Sequence, residues 1–118
     1  MRYNKYGNKR TVIDGIKFAS KKEAAYYQEL KLREKAGDIM GFKCQPIFEL
    51  QPKFKHEGKT IRSITYIADF LVYHDGFNEV VDVKGVQTAV FKIKWKMLLW
   101  KFGPKSDQSY REYRFTII

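Results

Sequence analysis

Two short apolar segments near the start of the chain are separated by a pair of turn residues. Residues 11–13 (Thr-Val-Ile) and 16–18 (Ile-Lys-Phe) flank Asp14 and Gly15. An Asp-Gly pair between alternating apolar residues is the usual signature of a two-residue β-hairpin, because both turn positions require a positive φ. The pattern therefore predicts a small hairpin before the first helix.

The periodicity changes from strand to helix at Ser20. The Ser-Lys-Lys-Glu sequence at 20–23 fits a capping box, in which the Ser20 hydroxyl and the Glu23 carboxylate satisfy each other's free backbone N–H groups. The helix is expected to end near Ala36, because Gly37 is a typical C-terminal stop. Its apolar stripe consists of Tyr26, Tyr27 and Leu30. At about 100° per residue, Glu23 lies in the middle of this stripe and is directed inward.

The middle of the chain is strand-like. Strands around Pro46 and Pro52 should be short, bulged or at a sheet edge, because proline lacks a backbone donor. Residues 59–73 are rich in β-branched and aromatic side chains, and residues 79–84 continue that pattern beyond an Asp-Gly turn at 75–76. These two segments are predicted to form a second, longer hairpin.

The end of the chain predicts a second helix and a last strand. Thr88 is a suitable N-cap, and Gly103 followed by Pro104 marks the helix end. The apolar positions of this helix are Val90, Phe91, Trp95, Leu98, Leu99 and Phe102. Residues 110–118 alternate well enough to form a final strand. Because neither a linker nor a repeat interrupts the sequence, we expect one domain over residues 1–118.

The register of the longer hairpin determines where its acidic residues lie. If residues 75–76 form a two-residue turn, pairing outward from that turn sets Asp69 directly opposite Asp82. A four-residue turn gives the same pair. Because side chains alternate along a strand, Lys84 projects from the same face as Asp82.

Two facing carboxylates within apolar strands repel each other, because their Cβ atoms are only about 5 Å apart. A hard cation between them removes the conflict, and Mg²⁺ typically uses one or two carboxylates together with water and substrate phosphate. Lys84 is placed to polarise an attacking water or to neutralise a phosphate. The structural alternatives are a solvated sheet surface with a cross-strand ion pair and, for Glu23, the capping box alone.

The net charge of the chain indicates which kind of partner it binds. The chain of 118 residues contains 23 Lys+Arg and 13 Asp+Glu, a net charge of +10, which favours a polyanion through counterion release. Nucleic acid is the first candidate and an anionic membrane surface the second. A hydrophobic fraction of 44% excludes a disordered chain. No apolar run approaches the ~20 residues that span a bilayer, and no signal peptide follows Met1, so we expect a soluble, intracellular protein.

Several residues have a candidate role beside an ordinary structural one. DNA contacts are expected from Lys5, Lys9 and Arg10 in a basic arm over residues 1–10, and from Lys92, Lys94 and Lys96 on the second helix. The alternatives are a frayed terminus and a solvated helix face. Cys44, the single cysteine, is expected to be a half-buried hydrophobic residue. His56 and His74, which lie near turns, are expected to be solvated. Gln45 and Gln87 are alternative candidates for a residue that orients a water molecule, and each is otherwise an ordinary polar surface residue.

The acidic residues also carry a resemblance. Glu23 on the first helix, Asp69 within Ala-Asp-Phe, and Asp-Val-Lys at 82–84 after a short hairpin stand in the order seen in the PD-(D/E)XK nuclease superfamily, which the sequence resembles. Ala68 stands where that superfamily usually has proline. The wider pattern from residue 4 to residue 85 looks like a small phage-encoded family of unknown function that is related to Holliday junction resolvases of the RecU type.

The resemblance implies an α-β-β-β-α-β core as in restriction endonucleases, with a mixed sheet of about four strands flanked by helices. It implies that Asp69, Asp82 and the backbone carbonyl of Val83 bind Mg²⁺, for which Mn²⁺ should substitute. Lys84 would assist the attacking water, and Glu23 would complete the metal site or hold a second ion. The implied activity is endonucleolytic cleavage of DNA in the cytoplasm of a phage-infected host. The relation to resolvases implies branched recombination intermediates as the substrate and a homodimer with two active sites. The alternatives are a non-catalytic nucleic-acid-binding module on the same scaffold and an adaptor that binds another phage protein through its aromatic surface.

Overall fold

The computed structural model describes residues 10–103 and 112–118. Within these residues the chain forms two helices and ten strands. In chain order they are β1 (Thr11–Ile13), β2 (Ile16–Phe18), α1 (Lys21–Ala36), β3 (Gly41–Cys44), β4 (Ile47–Gln51), β5 (Phe54–His56), β6 (Lys59–Ile61), β7 (Ile64–Ile67), β8 (Phe70–Tyr73), β9 (Phe77–Asp82), α2 (Ala89–Phe102) and β10 (Glu112–Ile117). Neither of the two helices in the described residues is long and apolar enough to cross a membrane. The chain divides into two compact units, Met1–Ile39 and Met40–Ile118.

The first unit contains the predicted hairpin and the first helix. β1 pairs antiparallel with β2, and the turn residues Asp14 and Gly15 both have positive φ, 54° and 77°. The Ser20 hydroxyl accepts a hydrogen bond from the Glu23 backbone N–H at 3.1 Å, which confirms the Ser20 half of the cap. Gly37 ends α1 with φ 83°, the left-handed conformation that favours glycine. The helix packs on the hairpin, so both predictions for this unit are confirmed.

The second unit is built on a mixed four-stranded sheet in the order β10-β9-β8-β3. β8 is antiparallel to both β9 and β3, whereas β10 is parallel to β9. The hairpin register is the predicted one, with Tyr73 opposite Asn78 and Phe70 opposite Val81. This confirms a mixed sheet of four strands and the arrangement of the segment that carries the acidic residues.

The predicted longer hairpin is confirmed only next to its turn, where β8 pairs with β9. Residues 59–73 contain three strands in three different sheets: β6 pairs with β5, β7 pairs with β4, and β8 belongs to the main sheet. β5 and β6 form a separate hairpin with wholly exposed strands around Glu57 and Gly58, whose φ angles are 50° and 77°. Because this turn pairs β6 with β5, β6 belongs to a different sheet from β7 and β8.

The α2 helix packs on β4 and β7 and encloses the core of the second unit. Its predicted start is confirmed, because the Thr88 hydroxyl accepts from the Phe91 N–H at 3.1 Å. Phe91 and Leu98 are buried, as expected for core residues, but Leu99 is 41% exposed, so the expectation that this apolar residue also belongs to the core is wrong. The core members are Phe48, Leu50, Tyr66, Ala68, Leu71, Val80, Phe91 and Leu98.

Candidate active site

Asp69 lies where a long antiparallel strand pair bends. The β3–β8 pair and the β4–β7 pair are joined by two backbone hydrogen bonds, from the Gln45 N–H to the Asp69 carbonyl at 2.9 Å and from the Ala68 N–H to the Pro46 carbonyl at 3.1 Å. Gln45 has a φ of 53° at this bend. Because β7 pairs with β4, the ladder between β8 and β9 ends at Phe70. The end of β9 is therefore left without a paired strand on this side.

The side chains of Asp69 and Asp82 fill this gap reciprocally. The Asp69 N–H donates to Asp82 Oδ1 at 3.1 Å, and the Val83 N–H donates to Asp69 Oδ2 at 2.7 Å. The two acidic residues thus face each other as the register predicts. The sequence-based picture of mutual repulsion was incomplete, however, because each carboxylate also accepts a backbone hydrogen bond that lowers the cost of its charge.

The backbone of Val83 is directed toward the same gap. On the other side of β9, the Ile118 N–H donates to the Asp82 carbonyl at 2.8 Å and the Lys84 N–H donates to the Ile118 carbonyl at 2.9 Å. Successive residues of a strand point their backbone groups to opposite sides. Since Asp82 and Lys84 point to β10, the Val83 carbonyl points to the side of Asp69.

Asp82 is a wholly buried acidic residue, with 0% of its surface exposed. Its Oδ1 atom accepts from Asp69, whereas Oδ2 has no hydrogen-bond partner among the described residues. Leaving a buried charged oxygen without a partner costs more than the 1–3 kcal/mol or so estimated for a neutral group. This arrangement is unfavourable in the protein alone and becomes favourable if a cation or a proton neutralises Oδ2.

The raised pKa values of Asp69 and Asp82 also favour a cation or a proton at this pair. Burial raises the pKa of Asp82 to about 6, against the opposing effects of the Lys84 charge and the Asp69 N–H. Burial also raises the pKa of Asp69, against the Val83 N–H and the Lys84 charge. Both carboxyls hold a proton more readily than they do in water, because the positive charge nearby is too small to compensate for desolvation.

Lys84 is the cation closest to the pair among the described residues. Its Nζ lies 3.9 Å from Asp82 Oδ1 and 4.7 Å from the centre of the Phe91 ring, at the first turn of α2. The Lys84 side chain is 26% exposed, so part of it remains accessible to solvent or to a ligand. The strand therefore places Lys84 beside the carboxylates, and the aromatic ring restricts its direction.

These residues suit a hard divalent cation. The described residues contain no group of three His, Cys, Asp or Glu side chains that could hold a metal ion. Mg²⁺ does not require three, because it usually keeps several waters and is bound through one or two carboxylates plus substrate phosphates. The candidate ligand atoms of Asp69, Asp82 and Val83 are all oxygens, and the buried Oδ2 of Asp82, which has no partner among the described residues, supports the fit.

The remaining predicted site residues lie elsewhere. Glu23 belongs to the first unit, where it is 5% exposed on α1, and its catalytic role stays a sequence-based prediction. Of the predicted DNA contacts, Arg10, Lys92 and Lys96 are exposed and Lys94 is half-buried. Lys5 and Lys9 lie outside the described residues. Gln45 and Gln87 are both exposed.

One polar cluster was not foreseen. His74 is bonded through Nε2 to Glu79 Oε1 at 2.8 Å and stacks on the Phe77 ring at 4.4 Å, and the Thr116 hydroxyl donates to Glu79 Oε2 at 2.6 Å. With a side chain only 15% exposed, His74 is not solvated, so that prediction is wrong. The hairpin register already sets His74 opposite Phe77, which was the available signal. His56, 70% exposed, and the half-buried Cys44 are as predicted.

Fold and site together define a mixed α and β protein in which a half-buried aspartate, Asp69, faces a fully buried one, Asp82, at a break in the central sheet. Residues 3–118 match the model of a family described as "Protein of unknown function (DUF1064)". The chain belongs to this family. Comparison with curated proteins and with solved structures gives no match. The family description assigns no activity, so an assignment of function depends on the chemistry of the residues.

Proposed function

We propose that this protein is a Mg²⁺-dependent DNA endonuclease with a restriction-endonuclease-like core, and that it hydrolyses phosphodiester bonds at the Asp69–Asp82 site. One observation carries the proposal: the Asp82 carboxylate is fully buried beside Asp69, and its Oδ2 has no partner among the described residues. A protein keeps such an unfavourable group where its chemistry requires it. A cation followed by substrate phosphate is the occupant that matches oxygen donors at this position.

In this proposal the carboxylates of Asp69 and Asp82 and the carbonyl of Val83 hold Mg²⁺, or Mn²⁺ in its place. When bound, the ion supplies neutralisation of phosphate charge and Lewis acidity. Lys84 remains partly exposed beside the pair, so its ammonium neutralises a phosphate oxygen or orients the attacking water by donating a hydrogen bond. Phe91 limits the directions that this ammonium adopts.

DNA is the proposed substrate because of charge. A net charge of +10 on 118 residues favours a polyanion, and Lys92 and Lys96, one turn apart on α2, are both exposed. The resemblance to resolvases extends the proposal to branched DNA and to a homodimer, because resolution of a four-way junction requires two cuts.

The proposal is tested with labelled linear duplex, flap and four-way-junction DNA, each incubated with Mg²⁺, Mn²⁺ or a chelator. We expect cleavage only with metal, and loss of cleavage in Lys84→Ala with metal-dependent stabilisation retained. Asp75→Asn, an exposed acidic residue in the turn of the same hairpin, is the matched control and should cut as the wild type does. Absence of cleavage of every substrate in every metal would contradict the proposal.

The second candidate is a nucleic-acid-binding module without catalysis. The exposed Lys92 and Lys96 on α2 favour it, because lysines contact phosphate without a metal ion. This candidate predicts salt-dependent DNA binding that metal does not change and no cut in any substrate. The substrate panel therefore separates the two functions.

A further inference from the structure

The α2 helix has two apolar stripes, of which the fold uses one. The inner stripe packs against the core of the second unit, with four members spaced by one turn: Phe91, Trp95, Leu98 and Phe102. A surface helix needs only one such stripe, while its other side is normally polar.

A second stripe follows the opposite side of the helix. Val90 and Ile93 are each 61% exposed and Trp100 is 84% exposed. Between Ile93 and Trp100 lies the half-buried Met97, which also packs against the core. We call these residues the outer stripe: Val90, Ile93, Met97 and Trp100. A continuous exposed apolar surface of this kind, with an aromatic residue at its end, is typical of a protein-binding site.

The spacing of the outer stripe is that of a coiled-coil seam. From Val90 to Trp100 its residues are three, four and three positions apart, which is the a/d pattern of about one and a half heptads. The positions that flank such a seam then fall on Lys94, Lys96 and Lys101. In a coiled coil, charges at these flanking positions select the partner.

The charge of α2 identifies the chemistry of that partner. The helix contains no acidic residue, and lysines border the outer stripe on both sides. A second copy of this chain would bring the same lysines opposite one another, and like charges at facing positions are unfavourable. A single-stranded nucleic acid would match the charge, but its bases stack on aromatic rings rather than on the aliphatic Val90 and Ile93.

We infer that the outer stripe of α2 binds an amphipathic helix of another protein, with apolar residues along its seam and Glu or Asp beside them. This role goes beyond the proposed nuclease function and does not depend on it. Lys94 and Lys96 are also predicted DNA contacts, so the acidic helix competes with DNA for these two lysines wherever both ligands are present.

The test uses a fluorescently labelled three-heptad peptide with Leu and Ile at the seam and Glu at the flanking positions. A matched peptide carries Lys in place of Glu. Fluorescence anisotropy is measured while the full chain is added at about 0.1 M salt, where charges near the contact still act. We expect saturable binding of the acidic peptide and binding of the basic peptide that is weaker by about tenfold or more.

Variants locate the contact. Ile93→Ser and Trp100→Ser alter exposed side chains, so melting temperatures should stay near the wild-type value while affinity for the acidic peptide falls about tenfold. Lys96→Glu should weaken the acidic peptide and strengthen the basic one. Ile47→Ser, at an equally exposed apolar residue of β4, is the matched control and should bind as the wild type does.

Three outcomes would overturn the inference. The first is equal affinity for the acidic and basic peptides, or no saturable binding of either peptide. The second is a dimer in sedimentation analysis that Ile93→Ser converts to monomer, because the occupant would then be a second copy. The third is a loss of affinity for oligothymidylate in Ile93→Ser as large as the loss for the peptide, which would assign the stripe to nucleic acid.

Discussion

Replacing Asp82 by Asn removes the buried charge with almost no change in shape. In the folded protein burial raises the pKa of Asp82 from its ordinary value of 3.8 to about 6. A difference of that size corresponds to about 3 kcal/mol of stability, which the wild type loses when the carboxyl ionises. Asn keeps an oxygen that accepts from the Asp69 N–H. Its amide N–H₂ group, however, replaces an oxygen that has no partner among the described residues. An unpaired buried donor lowers the free energy of unfolding by about 1–3 kcal/mol.

The two effects are separated by pH. Because the folded-state pKa lies above the unfolded value, the folded protein binds this proton more tightly, and stability from this group falls as pH rises from about 4 to about 6. Asp82→Asn lacks this titration. We therefore expect the variant to gain up to about 3 kcal/mol relative to the wild type between pH ~4 and pH ~7, whatever the fixed cost of its amide.

The assay is urea unfolding at both pH values in the presence of a chelator. Asp75→Asn, at an exposed turn position, serves as the control and should follow the wild-type pH dependence. Adding Mg²⁺ or Mn²⁺ near neutral pH should stabilise the wild type but not Asp82→Asn, because the ion binds only the folded carboxylate site. A wild-type-to-variant difference that stays constant with pH would refute the reasoning. A variant that is strongly destabilised at every pH would show that Asp82 is mainly a structural acceptor.

Three further predictions follow from the same contacts. In Glu23→Gln the new side chain keeps the capping geometry but is a poor Mg²⁺ ligand. A normal melting temperature with lost cleavage would support a catalytic role for Glu23, whereas normal cleavage would exclude that role. Lys92→Ala and Lys96→Ala should each lower the slope of log DNA affinity against log salt concentration by about one if the lysine neutralises a phosphate. An unchanged slope would show that this helix face is only solvated surface. His74→Ala should lower the free energy of unfolding by about 1–3 kcal/mol, because Glu79 loses a largely buried partner, and urea unfolding without such a loss would contradict that role.

Local signals in the sequence were sufficient for the elements that hold the site. The Asp-Gly turn at 75–76 fixes the register of β8 and β9, and the alternation of side chains then brings Asp69, Asp82 and Lys84 together. The caps at Ser20 and Thr88 fix the helix starts in the same way. These features depend on residues close together in sequence, and for that reason the pattern predicts them.

The features that the sequence did not predict depend on long-range pairing. The end of the β8–β9 ladder at Phe70 results from β7 pairing with β4, and no local pattern around Asp69 indicates that choice. The backbone hydrogen bonds to both carboxylates follow from this break. The parallel pairing of β10 with β9, which directs the Val83 backbone to the site, likewise joins segments that are far apart in the chain.

Under the proposed function, metal-dependent cleavage occurs at the Asp69–Asp82 pair. Nicking of supercoiled plasmid tests this most directly, with wild type, Asp69→Asn and Asp82→Asn purified side by side. Each protein is assayed with Mg²⁺ and with a chelator. We expect that only the wild type with Mg²⁺ converts the plasmid to the nicked form, while all three proteins remain folded. Equal Mg²⁺-dependent nicking by Asp82→Asn and wild type would contradict the proposed function.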